Sequence, residues 1–313
     1  MSGTFVRGAV LRLTEHPFVR RVVTEHAIGR RVATRFVAGE TLADVLEVAE
    51  DLRAQGLTTM LDHLGENVRI PEQAADAANA YVRALETIGD VPDLDAAISV
   101  KLTQLGLDLS EELCRAHLER VVSTADRVGR LVMIDMESSV YVDRTLEIFR
   151  AFRARTERIG VCLQAYLRRT PEDVFALPEA SIVRLVKGAY LEPAELVLTR
   201  RRDVDRAFSR LAATILGRGH VLHAATHDPK LVEGLLRRMR TASVPVNPGS
   251  ARVEFQMLYG IRRDLQLRLA AEGVPVRVYV PYGIEWYPYL TRRLAERPAN
   301  VWFFLSNLLR SGR

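Results

Sequence analysis

From Thr58 to Val280 the chain alternates short apolar runs, rich in β-branched residues, with longer stretches of helical periodicity, and it does so eight times. The predicted strands are Thr58–Leu64, Ala97–Leu102, Leu131–Met136, Gly160–Ala165, Ile182–Lys187, His220–Ala225, Val253–Leu258 and Val276–Val280. Helices are predicted between them near Pro71–Ile88, Ser110–Val128, Val142–Thr156, Pro171–Ala176, Leu196–Leu216, Pro229–Arg240 and Ile261–Glu272. Strands separated by helices form parallel sheets, and eight of them close most naturally into an α/β (βα)8 TIM-like barrel. An open doubly wound sheet is the alternative. Against it, no G-x-G-x-x-G follows the first strand.

Ahead of the first strand the pattern is helical only. Phe5, Val6, Ala9, Val10 and Leu13 recur at helical spacing until Pro17, and Val19–Val37 resumes the pattern. Thr41–Gln55 reads as a third helix, with Thr41 as N-cap and Asp44 at N3. The expected organisation is a helical arm over residues 1–55 and a catalytic barrel over 56–313, whose tail after Trp286 is helical again.

Composition narrows the class. The chain has 313 residues, 48% of them hydrophobic, enough to bury a large core. Cys114 and Cys162 are too few for a disulfide framework or a metal cluster, and both sit in apolar patterns that suit buried thiols. No apolar run reaches the roughly 18 residues of a membrane span, and no signal-peptide pattern is present. The net charge is +5, and residues 1–36 hold all of it: seven arginines against Glu15 and Glu25. That arm suits a solvated helical face or attraction to an anionic membrane surface or acidic partner. Nucleic-acid binding would need a basic stripe on the folded body, which is not seen.

In barrels of this kind the chemistry sits at the carboxyl ends of the strands. Those ends offer Asp62, His63 and Glu66; Lys101; Asp135 and Glu137; Gln164 and Tyr166; Arg184, Lys187, Gly188, Ala189 and Tyr190; Thr226, His227 and Asp228; Glu254, Gln256 and Tyr259; and Tyr279 and Tyr282. Lys101 lies inside an apolar strand and calls for a carboxylate partner, with Asp135 the natural neighbour. His63 and His227 lack metal-pair spacing and H-E-x-x-H is absent, so no metal site is expected. The lack of G-x-S-x-G, and of a cysteine beside a base at a strand end, disfavours serine or cysteine nucleophiles.

Two segments carry more. In Val183–Tyr190, VRLVKGAY, two cations bracket a strand ending in two small residues. That suits a phosphate, or a flat ring that becomes anionic on reduction, approaching the backbone closely. Lys187 could equally form a Schiff base. In Tyr289–Glu296, YLTRRLAE, a helix would set Tyr289, Arg292, Arg293 and Glu296 on one side. Two adjacent guanidiniums under a phenol make a carboxylate clamp.

The chain resembles the proline dehydrogenases, flavin-dependent enzymes of proline catabolism. The likeness is carried by DHLGE (62–66), SVKLTQLG (99–106), IDME (134–137), LQAY (163–166), RLVKGAY (184–190), ATH (225–227), EFQMLYG (254–260), VYVPYG (278–283) and YPYLTRRLAERPAN (287–300), in order over roughly residues 57–300. It is similar to the small monofunctional bacterial forms. The resemblance implies a distorted barrel holding FAD non-covalently, with FMN the alternative. It also implies oxidation of L-proline to Δ1-pyrroline-5-carboxylate by hydride transfer to flavin N5, and electrons passed to a quinone. By the same resemblance Lys101, Arg292 and Arg293 hold the carboxylate, and Asp135 is the acidic partner of that cluster. Tyr279, Tyr289 and Leu258 wall the ring, and Glu66 is a gate pairing with Arg292. Arg184 lies near N5 and Gln164 at the pyrimidine edge. Lys187, Gly188, Ala189, Tyr190, Thr226, His227, Gln256 and Glu296 follow along the cofactor. The bulk of Tyr289 favours proline over hydroxyproline. One departure stands out: Leu191 and Glu192 follow Tyr190 where many relatives have tryptophan and an acid.

Quinones live in membranes, so the resemblance together with the basic arm implies a cytoplasmic protein, peripheral on the inner face of the cytoplasmic membrane through residues 1–36. Two other classes stay open on the residues alone: a Schiff-base aldolase using Lys187 or Lys101, and a binding protein without chemistry.

Overall fold

A computed structural model of the chain describes residues 34–241 and 252–296, the last five of these by their backbone only. The predicted helices ahead of residue 34, with nearly all of the basic arm, and the apolar tail lie outside the described residues. Eight parallel strands close into a barrel in the order β1 to β8. They are β1 Thr58–His63, β2 Ala96–Val100, β3 Val132–Ile134, β4 Ile159–Gln164, β5 Ile182–Val186, β6 Val221–Ala225, β7 Val253–Leu258 and β8 Val276–Tyr282. β1 closes on β8, with Met60 beside Tyr279 and Asp62 beside Pro281.

Helices follow the strands: α1 Leu42–Arg53 before β1, α2 Pro71–Gly89, α3 Glu111–Val128, α4 Val142–Arg153, α5 Thr170–Phe175, α6 Arg201–Gly217, α7 Pro229–Thr241, α8 Arg263–Ala271 and α9 Trp286–Glu296. Their limits follow local chemistry. Thr41 caps α1 in a capping box with Asp44, as its sequence predicts. Ser110 accepts from the Leu113 amide to start α3, and Gly129 in the left-handed conformation ends it. α6 begins at Arg201 rather than at Leu196. The intervening residues bond to the β4–α5 loop instead: Leu198 donates to the Tyr166 carbonyl and Arg168 to that of Leu196. A backbone already paired sideways is not available to a helix.

The outward face of the barrel is continuous with the helices. Val183, Leu185, Phe255, Val278 and Val280 are fully buried there with Leu85, Phe149 and Ile215. Leu52, Ala49 and Val45 of α1 join the same core over the β8–β1 seam. The strap before α1 is pinned nearby: the Ala38 amide donates to the Pro281 carbonyl, and the Gly283 amide to that of Gly39. Gly260, at φ 73°, has no Cβ where the Arg35 carbonyl passes, and an added Cβ would lie 1.8 Å from that oxygen.

Candidate active site

Side chains alternate along a strand, so one register of each strand points into the lumen. Met60, Ala97 and Met133 pack together there, against Ile182 and Tyr279. One step nearer the carboxyl ends the same register supplies Asp62, Ser99, Asp135 and Arg184, and their chemistry changes abruptly. Asp62, Asp135 and Arg184 form the floor of a cavity of about 1190 Å³, with Ser99 buried just behind them.

The floor is one connected ionic cluster. Lys101 Nζ lies 3.0 Å from Asp62 and 3.4 Å from Asp135. Asp135 also accepts from the Ser99 hydroxyl at 2.8 Å, the Tyr279 hydroxyl at 2.8 Å and the Arg184 guanidinium. The Arg184 guanidinium lies 5.1 Å from the centre of the Tyr279 ring. Burial alone would raise the Asp135 carboxyl, but Lys101 and Arg184, with the Ser99 and Tyr279 hydroxyls, hold it below the usual carboxylate range. Burial alone would lower the Lys101 ammonium, and Asp62, Tyr279 and Asp135 hold it well above its usual value. Burial, with Asp135 and Asp62, keeps the Tyr279 phenol protonated. The sequence points to Asp135 as the partner of Lys101, and the structure puts Asp62 nearer. An ammonium so firmly charged argues against Lys101 as a Schiff-base nucleophile, which needs a lowered pKa.

The other predicted residues converge on the same cavity. Glu66, Leu258, Tyr289, Gln164, Lys187, Gly188, Ala189, Tyr190, Thr226, His227 and Gln256 all line it. Several are held from behind. Gln164 donates to the Glu137 carbonyl at 2.9 Å, His227 Nε2 accepts from the Leu258 amide at 2.8 Å, and the Thr226 hydroxyl accepts from the Asp228 amide. Lys187 is gripped by Asp205 and Asp228, so its charge is already paired. Tyr289 is buried with Phe36, Leu64, Trp286 and Leu290, which fix α9 against the strap. Arg292, Arg293 and Glu296 lie on α9, and their side chains fall outside the described residues.

Four sequence readings change. Gly188 is small because the Tyr166 ring occupies its side-chain space: an added Cβ at φ 116° would come within 2.2 Å of that ring. That packing calls for glycine whatever occupies the cavity that Gly188 lines. Glu254 lies near the start of β7 and below the cavity, rather than at the carboxyl end. Tyr259 and Tyr282 do not line the cavity; Tyr282 packs on the His63 ring at 5.3 Å. Glu192 uses its carboxylate on the Ser139 amide and hydroxyl, while Leu191, at the departing position, is exposed. Asp62 is the cavity residue that the sequence undervalued. Its signal was present: Met60 and Asp62 share the lumen register with Ser99 across the β1–β2 pair.

A flavin's fit can be judged from one atom. Arg184 Nε donates to Gln256 at 2.7 Å and its Nη1 to Ser99 and Asp135, but its Nη2 is buried with no hydrogen-bond partner. A buried donor without a partner is costly, and this one belongs to a residue that lines the cavity. The polar rim of Gln164, Thr226, His227 and Lys187 suits a heteroaromatic ring bearing a phosphorylated tail. The residues fit such a group. Among the described residues no cluster of three or more histidine, cysteine or acidic side chains could hold a metal, and no helix is long and apolar enough to cross a membrane.

Comparison with known proteins agrees with this geometry. The proline dehydrogenase family profile matches residues 45–305. The chain is 39% identical over 253 residues to Proline dehydrogenase 2 of Bacillus subtilis, covering 80% of this chain and 82% of that one. It is 36% identical over 316 residues to Proline dehydrogenase of Deinococcus radiodurans, covering 99% and 100%. The crystal structure of proline utilization A from Bdellovibrio bacteriovorus, inactivated by N-propargylglycine, superposes with a TM-score of 0.78 at 25% identity. That match covers 85% of this chain, which spans 32% of the longer protein. A closed eight-stranded barrel, a charged cavity at its carboxyl ends and relatives aligned over nearly the whole length lead to one assignment: the chain belongs to the proline dehydrogenase family.

Proposed function

We propose that the cavity binds L-proline beside FAD and that the protein oxidises proline to Δ1-pyrroline-5-carboxylate, the first step of proline catabolism to glutamate. When bound, a flavin supplies the two-electron acceptor. The protein supplies position and charge. Two buried carboxylates, Asp62 and Asp135, balance two buried cations, Lys101 and Arg184. A substrate carboxylate therefore calls for further positive charge, which Arg292 and Arg293 carry on α9. Tyr279, Tyr289 and Leu258 wall a small ring, Glu66 lines the cavity from the loop after β1, and a bound proline and flavin would displace water from its floor. Gln164, Arg184, Lys187, Gly188, Ala189, Tyr190, Thr226, His227, Gln256 and Glu296 make the cofactor side. FAD rather than FMN, a quinone as final acceptor, and a cytoplasmic location with contact of residues 1–36 to anionic membrane are part of the same reading.

The observation that carries it is the buried cluster of Lys101, Asp135, Arg184 and Tyr279 at the floor of the cavity. Anaerobic titration of the purified protein with L-proline tests it: a yellow protein should bleach, with hydroxyproline a poor substitute. Arg292→Met or Arg293→Met should raise the proline requirement strongly and leave the flavin bound. Loss of flavin instead would mean that the arginines serve the other ligand.

A further inference from the structure

Below the cluster lies a second polar group, which the chemistry just proposed does not touch. Arg277 of β8 donates from Nε to both oxygens of Glu254 on β7, at 3.0 and 3.1 Å. Its Nη1 donates to the Thr59 carbonyl at 3.0 Å and to the Asp95 carboxylate at 3.1 Å. His223 stands beside Glu254 in the β6–β7 register. Glu254, Arg277 and His223 are all largely or wholly buried inside the barrel and absent from the cavity lining. A buried ion pair is a poor device for stability, because well-packed apolar residues generally do as well. Its placement asks for another reason.

The reason is one lumen step higher, at Gln256. An amide has a donor end and an acceptor end, and its surroundings decide which way it faces. Gln256 Nε2 lies 2.8 Å from Glu254 Oε1 and 2.9 Å from His223 Nδ1, an anion and an imidazole nitrogen. Its two N–H groups are thereby both used below, and its Oε1 is turned to accept from Arg184 Nε at 2.7 Å. Reversal would set the amide oxygen against a carboxylate and its nitrogen against a guanidinium. Arg184 is already fixed through Nη1 to Ser99 and Asp135, so the bond at Nε sets the remaining edge of its plane. What is left over is Nη2. Burial alone would raise the Glu254 carboxyl, but Arg277 foremost brings it down to about 2. Burial brings His223 down to about 4 despite Glu254. At neutral pH the pair below Gln256 is therefore an anion and a neutral imidazole, the combination that two amide N–H donors require.

We propose that Glu254, its partner Arg277, and His223 are positioning residues for this reaction: they lock the Gln256 amide in one orientation, and through it hold the plane of the Arg184 guanidinium at the cavity floor. The inference rests on the flavin reading of the cavity's occupant only for its redox consequence. A guanidinium presented to a ring that gains charge on reduction stabilises the reduced form, so a misaimed Arg184 makes reduction harder.

The test uses the holoenzyme and the double variant Glu254→Met/Arg277→Met, which removes both charges and strands neither. It should keep its flavin and bind proline with KM changed by less than about twofold, while kcat falls about tenfold, the usual effect of losing a supporting partner. The midpoint potential of the bound flavin should become more negative. Wild-type kcat and potential in the double variant would overturn the proposal. If the variant does not fold, ¹⁵N-histidine spectra of the wild-type protein decide. His223 Nδ1 should be an unprotonated acceptor around neutral pH; a proton on Nδ1 would reverse the amide and sink the idea. A wild-type protein that binds no flavin and ignores proline would refute the proposed function, yet leave this spectral outcome to stand or fall separately.

Discussion

On β7 and β8 the two faces of the strand are both largely buried and chemically opposite. On β7 the outward residues Val253, Phe255 and Met257 join the helical shell, while Glu254 and Gln256 turn inward. On β8 the outward set is Val276, Val278 and Val280, and the inward set Arg277 and Tyr279. Parallel strands covered on both sides ordinarily read as unbroken apolar runs. Here a period of two survives although neither face meets solvent. The alternation therefore marks a lumen committed to chemistry, and each inward polar atom has to find its partner inside the barrel.

That contrast can be broken at several points. Phe255→Ala, on the outward face, should cost roughly 3–5 kcal/mol of stability by leaving a cavity, while KM for proline and the flavin spectrum stay as they are; chemical denaturation and kinetics check both. Asp135→Asn, on the inward face, should do the reverse. Turnover should drop on the order of a hundredfold, as for loss of a placed electrostatic partner, and steady-state kinetics read it.

His223 sharpens the comparison through pH. Its folded pKa, about 4, lies below the ordinary histidine value, so the unfolded chain takes up the proton first as pH falls. Its contribution is fully present above pH 6.5 and is lost between there and pH 4. The stability of the wild type relative to His223→Asn should shrink by about 3 kcal/mol across that window, measurable by denaturant melts at both ends. The smallest effect belongs to the outward face again. Ile98→Val should cost only about 1 kcal/mol and change no kinetic constant.

Much of this was legible in the sequence, because the barrel announces itself twice. Each strand carries β-branched residues, and the caps of two helices, Thr41 with Asp44 and Ser110 with Gly129, can be read directly. Strand-end residues were legible for the same reason, since position along a strand maps onto depth in the barrel. What escaped depends on neighbours that are remote in sequence. Asp62 reads as one acid in a loop motif until β1 lies beside β2 and Lys101 reaches it. His223, Glu254 and Arg277 are scattered over 54 positions and meet only through the β6–β7–β8 register. Gly188 reads as room for a ligand, and the Tyr166 ring that also requires its missing Cβ comes from another strand's end. The start of α6 was misjudged because Leu196 and Leu198 bond sideways to a loop that no local periodicity reveals.

The seam where β1 meets β8 has a consequence for synthesis. Thr58 waits for Arg277, and the strap at Ala38 waits for Pro281, so the first strand keeps a bare edge until nearly the whole chain has left the ribosome. A nascent product stopped short of β8 would carry two open strand edges, and should be a client of chaperones or a seed for aggregates rather than a smaller working enzyme.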